Sequence, residues 1–224
     1  MTLPAVEAGA RAGDLVLDDR ARLAAHQLGE VAALLQAGIA LGAAGADSLR
    51  AADERLRRFV ADLHDLEVRV ERARWERLRI STLVASALED VRALPAGDRL
   101  DVRVVEGLPA VAGDREPLLA GLGHLLRFCG SAARPGSVRV DVGAARRGDR
   151  VEVTLAVDSM AIDAAQAARL FAAGPVPPGR GPLVGAGVGL VAARRIIAAH
   201  GGGISAAPSA HSGALLAFDL PAGP

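Results

Sequence analysis

The chain contains no lysine, no asparagine and no tyrosine, and aromatic residues make up 2% of its 224 positions. All 26 basic residues are arginines, matched by 26 acidic ones, so the net charge is zero. That balance gives no overall electrostatic footprint for nucleic acid or an anionic membrane. Cys129 is the only cysteine, which excludes an intramolecular disulfide and fits a reducing compartment. Long apolar runs are lacking too. The longest weakly polar stretch, VAALLQAGIALGAAGA (31–46), is shorter than the ~20 residues that span a bilayer and carries Gln36. The first residues, MTLPAVEAGARAGD, have neither the basic start nor the apolar core of a signal peptide, so a soluble, cytoplasmic protein is expected.

What is present is a hydrophobic content of 51%, enough for one good core plus a smaller helical module. Residues 1–13 are Ala/Gly-rich without periodicity and read as a loose tail. From about Leu15 to Leu41 the positions Ala24, Leu28, Val31, Leu35 and Ile39 recur three and four apart, the stripe of one helix. GAAGAD (42–47) breaks it. Then Leu49, Ala52, Leu56, Phe59, Leu63, Leu66 and Val70 alternate three and four apart, a heptad seam. Residues 14–76 therefore form an expected helical hairpin. One hairpin cannot cover both of its own apolar stripes, so a homodimeric four-helix bundle is expected, with packing against the rest of the same chain as the alternative.

Beyond Trp75 the pattern changes. Ser81 can cap a helix over STLVASALEDVRAL, and alternating segments follow at LDVRVVE (100–106), SVRVDVG (137–143) and VEVTLAV (151–157). A helix from about Glu116 to Cys129 separates the first two strands. A short helix, AAQAARLF (164–171), a proline-rich loop, a further helix and two last strands complete an α/β sandwich with helices on one face of a mixed sheet. The fold class is thus α+β.

Three motifs in order carry a resemblance. GAGVGLVAARRIIAAHGGGISAAPSAHSGALLAFDLP (185–221) is similar to the second glycine box, helix, AHGG turn and closing hairpin of bacterial sensor histidine kinases. DREPLLAGLGHLLRFCGSA (114–132) resembles the helix that carries that family's Asn box, and VEVTLAVDSMAI followed by ARLF resembles its Asp–Gly and Leu–Phe boxes. The resemblance covers about residues 20–221. It implies a dimerisation and phosphotransfer hairpin followed, over 79–224, by a GHKL-type ATP-binding domain.

Several departures imply that this domain is degenerate. In the family an asparagine supplies a neutral oxygen to the Mg²⁺ that bridges the phosphates. Here Phe128 stands at that position and Ser131 at the position of the family's lysine; no shift of alignment helps a chain without asparagine. Asp158 matches the adenine-reading carboxylate, but DSMAI replaces the glycines that let backbone approach the base, with Met160 in their place. The loop between Phe171 and Gly185 is short and proline-rich. ATP and Mg²⁺ are accordingly expected not to bind productively, and no other cofactor or metal is expected. Gly185, Gly187, Gly189 and Asp158 mark a vestigial nucleotide site. Those glycines either cradle a phosphate on backbone N–H groups or simply form a tight turn into a packed helix.

His26 opens HQLGEVAALLQAGIALG, which resembles the family's H box, and implies a phosphoryl acceptor. It lies two residues beyond Ala24, about 200° around the helix and hence on the solvent face. The usual acid after the acceptor is Gln27 and the usual proline is Val31. Loss of that acid fits loss of the ATP step, because transfer from a receiver's phospho-aspartate needs only a neutral, exposed imidazole. A plain surface histidine is the alternative. His64 is expected to be a half-buried bundle residue, His124 structural, His200 part of the AHGG turn and His211 a loop residue; none has a metal-ligand spacing to another His or Cys. The resemblance thus implies a histidine phosphotransferase that relays phosphoryl groups between response-regulator receiver domains. A non-catalytic scaffold and an active kinase are the alternatives.

Overall fold

A computed structural model describes residues 46–66, 70–92, 99–132, 136–158, 160, 162–171, 187–209 and 213–223. The tail, the first hairpin helix with its turn, and the loop between Phe171 and Gly187 lie outside the described residues, as does the expected bundle.

The described part begins with helix α1 (Ala46–Asp65) and a single 3₁₀ turn (Arg72–Arg74). Next come β1 (Trp75–Arg79), α2 (Ile80–Arg92), β2 (Leu100–Val104), β3 (Ala110–Asp114) and α3 (Arg115–Ala132). The chain continues through β4 (Val138–Arg147), β5 (Arg150–Val157), α4 (Ala164–Arg169), α5 (Gly187–Ala199), β6 (Ile204–Ser209) and β7 (Gly213–Pro221).

A five-stranded sheet has the order β2-β4-β5-β7-β6, with β2 and β4 parallel and the remaining neighbours antiparallel. The parallel pair requires a crossover, and α3 lies within it. Along β5 the strict alternation of RVEVTLAV turns Val151, Val153, Leu155 and Val157 into the core and leaves Glu152, Thr154 and Ala156 half-buried on the other face. Helices α2, α3 and α5 cover the inner face: Leu83, Val84, Leu125, Leu126, Leu190 and Ile197 join these valines in one buried cluster. Each such aliphatic side chain contributes about 1.5–3 kcal/mol by leaving water.

A second, two-stranded sheet pairs β1 with β3, Trp75 opposite Asp114 and Arg79 opposite Ala110. The sequence reading has no strand at either place and draws its domain boundaries at 76 and 79, inside or at the end of β1. WERLR has no apolar alternation, and AVAGD is buried around a glycine and an aspartate, so neither shows a strand's period. Chain closure ties in here as well: Ala222 bridges Val111, and Gly223 donates its N–H to Ala110 O at 2.9 Å.

α1 ends at Asp65, short of the Val70 that closes the heptad seam. Leu66 follows in a turn and is buried, whereas the seam residues Leu49 and Leu56 are exposed on the single chain, and so is Val60. α1 lies against α5.

Candidate functional site

Of the residues singled out by the sequence, His26, Gln27, Val31, Gly185 and His211 lie outside the described residues. Gly187 is the first residue of α5 and Gly189 its third. Asp158 follows β5. It is exposed, and its Oδ1 accepts the backbone N–H of Arg139 at 3.0 Å while its own N–H donates to Arg139 O at 3.2 Å. The carboxylate thereby extends the β4–β5 ladder by one rung.

Phe128 projects from α3 into the apolar core and is 4% exposed; Met160 is 0% exposed and belongs to the same buried cluster, with Ile162, Leu170 and Phe171. Phe and Met at these places fill space with carbon and sulfur and offer no oxygen to a hard cation. Ser131 is exposed, its hydroxyl donating to Phe128 O at 3.1 Å within α3. Cys129 is buried beside them, and burial pushes its thiol up to about 12, which makes it an inert core residue.

The AHGG turn is built around His200. Its ring stacks on Trp75 with centroids 5.5 Å apart, Nε2 accepts the backbone N–H of Asp114 at 3.0 Å, and Nδ1 lies 2.8 Å from Ile196 O. Since Nε2 accepts, the ring proton sits on Nδ1 and is donated to Ile196 O. Burial lowers the pKa of His200, and the Ile196 carbonyl opposes that only in part, so the ring stays neutral. Gly201 adopts φ +75°, open to glycine without cost, and a side chain at Gly202 would overlap the carbonyl of Asp219. Arg150 closes the turn from outside, pairing with Asp219 and donating to Gly201 O at 2.8 Å. His200 thus ties the AHGG turn to β3.

His64 is exposed on the single chain: α1 turns it outward and turns its neighbours Asp62 and Asp65 inward. His124 on α3 meets those two. Its side chain is 1% exposed, with Nδ1 3.4 Å from Asp62 Oδ1 and Nε2 2.8 Å from Asp65 Oδ2. The second contact has the distance of an ion pair but not the alignment of a hydrogen bond, which leaves Nε2 without a hydrogen-bond partner among the described residues. Arg127 Nη2 lies 2.6 Å from His124 Nδ1 and 3.5 Å from Asp62 Oδ1. This four-residue cluster was not anticipated, because 62 and 65 are far from 124 and 127 in sequence. The i, i+3 spacing of each pair was the one legible signal.

No protein-family model matches the chain, and no curated protein does. Solved structures do. A mycobacterial sensor histidine kinase, MprB, is similar over 66% of this chain and 98% of that one, at 20% identity and a TM-score of 0.53. The Acinetobacter baumannii histidine kinase AdeS is similar over 88% of this chain and 95% of that one, at 17% identity and a TM-score of 0.62. The described fold is that of a histidine kinase catalytic domain. Full-length ShkA, solved with AMPPNP, matches over 90% of this chain and 45% of its own, at 21% identity and a TM-score of 0.57. At these identities the histidine kinase fold is what is shared. Among the described residues no helix is long and apolar enough to cross a membrane.

Proposed function

We propose that the protein is a homodimeric histidine phosphotransferase of a two-component phosphorelay, working without ATP-dependent autophosphorylation. The observation that carries the second half is Phe128. At the helix position aligned with the metal-binding asparagine it is buried in the apolar core, and the buried Met160 stands where glycines would admit a base. These residues do not fit a magnesium nucleotide: one removes the oxygen ligand and the other fills space that backbone would line. The exposure of Leu49 and Leu56 supports the dimer, since a second copy would cover that seam.

In this reading the neutral imidazole of His26 attacks the phosphorus of a receiver's aspartyl phosphate. The N–P bond forms as the P–O bond breaks, and the aspartate leaves as a carboxylate; reversal on a second receiver returns the imidazole. The receivers bring their own divalent ion. The C-terminal domain supplies a docking surface in place of nucleotide chemistry.

The scaffold reading is favoured by Gln27 and Val31, which depart from the H box around the acceptor. One experiment separates the two and the active-kinase alternative. Wild type and His26→Ala are incubated with a phosphorylated receiver and, separately, with labelled ATP and Mg²⁺. Acid-labile label from the receiver alone, lost in His26→Ala, supports the relay. Label from ATP overturns the loss of kinase activity, and label from neither source leaves a scaffold.

A further inference from the structure

The orphaned atom where α1 meets α3 is His124 Nε2. Its side chain is 1% exposed, and Nε2 has no hydrogen-bond partner among the described residues, although Asp65 Oδ2 lies 2.8 Å away. At that distance the oxygen fails as an acceptor because it stands off the axis of the ring nitrogen. Two atoms that ligate one ion have the same relation: each aims a lone pair at a third centre, and neither aims at the other. With bonds of ~2.0–2.1 Å, an imidazole nitrogen and a carboxylate oxygen on one zinc ion stand roughly 3 Å apart. One ligand atom from each of Asp62, Asp65 and His124 lies within 4.8 Å of the others.

The surroundings have the sign that a cation needs. Asp62 and Asp65 occupy the last turn of α1, with Asp65 its final residue, and the carbonyls of a last turn lack intrahelical partners and carry partial negative charge. Arg127 meets Asp62 at 3.5 Å, whereas the one ion pair of Asp65 among the described residues is with His124. A guanidinium has no acceptor, so Nδ1 takes a hydrogen bond from Arg127 at 2.6 Å and the neutral ring keeps its proton on Nε2. That N–H is buried with no acceptor on its axis, an unfavourable place for a donor. Gly189 fixes the ring from its other side, where a Cβ would come within 2.8 Å of Nδ1.

We propose that Asp65 Oδ2 and His124 Nε2 ligate a divalent transition-metal ion, best matched by zinc, with Asp62 orienting the imidazole. A carboxylate with an imidazole suits such an ion better than Mg²⁺ or Ca²⁺, which take oxygen donors. Water completes the coordination from the side on which Asp65 is 24% exposed. Ligation moves the ring proton without releasing it: the proton leaves Nε2, the metal–nitrogen bond forms there, and Nδ1 takes the proton up. Nδ1–H then faces Asp62 Oδ1, 3.4 Å away, and Arg127 turns from the ring to that same carboxylate. The ion joins the end of α1 to α3, and the site depends neither on nucleotide nor on phosphotransfer at His26.

Titration of the full chain with Zn²⁺ at pH 7.5 tests the site, with Asp65→Asn, His124→Gln, Asp62→Asn and His64→Ala beside wild type. Thermal unfolding is followed in Zn²⁺ and in a chelator. Wild type should take up one ion that Asp65→Asn and His124→Gln do not, and that ion should raise its thermal midpoint by mass action. Asp62→Asn should weaken the same binding roughly 10–100-fold, the usual effect of losing a carboxylate that orients a ligating histidine. His64→Ala should change nothing, because α1 turns His64 outward. In chelator Asp65→Asn should melt no lower than wild type, since it removes a charge from the negative end of a helix. A lower midpoint there would mean that Asp65 pairs with a protonated ring, which overturns the ion site. Equal Zn²⁺ uptake by wild type and Asp65→Asn overturns it too, as does binding lost in His64→Ala. If His124→Gln fails to fold, Asp65→Asn decides alone.

Discussion

His200 Nε2 accepts the backbone N–H of Asp114 at 3.0 Å, joining the turn after α5 to the last residue of β3, 86 residues earlier in the chain. Asp114 is where the small β1–β3 sheet hands over to α3, so one imidazole fixes the relative positions of the two helices that carry the glycine box and Phe128. His200→Ala leaves that buried N–H without a partner, which costs about 1–3 kcal/mol before any cavity is counted. Urea denaturation at pH 7.5 measures the loss.

The same bond sets a pH dependence. Burial lowers the pKa of His200 below its unfolded value of 6.5. The unfolded chain therefore binds the proton first, so the stability from a neutral His200 is complete above pH ~6.5 and falls as pH drops below it toward the lowered native value. Chemical denaturation from pH 7.5 to 5 should show wild type losing stability faster than His200→Gln. Parallel slopes would mean that other groups govern the decline.

At Gly202 the constraint is steric. An added Cβ would overlap the carbonyl of Asp219, a backbone atom of a central strand pair that cannot rotate away, and would also touch Ile197 Cγ2 at 2.9 Å. Gly202→Ala should cost at least the ~1–3 kcal/mol of an overpacked core position. Gly148→Ala, at φ +65° in an open hairpin turn, makes no such contact and carries only the smaller left-handed strain. Their thermal midpoints, compared side by side, separate the two effects.

Sequence reading reached the fold where one periodicity dominated. VEVTLAV could only be a strand with one face inward, and the AHGG segment fixed a helix, a tight turn and a returning strand. It failed where tertiary pairing overrode local pattern. WERLR is a strand because β3 needs an edge partner, and the heptad helix stops at Asp65, although the seam runs to Val70. The four-residue cluster was invisible for a different reason. Its pairs face each other only after α1 docks on α3, and a buried histidine between two carboxylates has no local signature.

Cys129 makes a probe of the core beside Phe128. Its thiol is buried and pushed up to about 12, so at pH 8 almost none is thiolate and reagent has no path to it. Native protein should resist a thiol-labelling reagent until it opens, and the labelling rate should rise with urea in step with unfolding. Prompt stoichiometric labelling without denaturant would show that the sulfur is reachable from solvent.

Phe128 offers the sharpest contrast between motif and physics. Placing asparagine there reproduces on paper the metal ligand that the proposed alignment with histidine kinases assigns to this position. In this core, however, Phe128→Asn deletes a ring from a close-packed cluster and strands an amide among Leu125, Cys129 and their neighbours. Loss of a buried phenyl costs about 3–5 kcal/mol, and an unpaired buried amide adds to it. The variant should melt at a lower temperature than wild type and still take no label from ATP, because the buried Met160 remains in place of the glycines that would admit a base. Phe128→Leu keeps an apolar group of intermediate size and should lose less than half as much stability. Labelling of Phe128→Asn by ATP would show that one substitution separates this domain from a working kinase, and that Met160 is no barrier to the base.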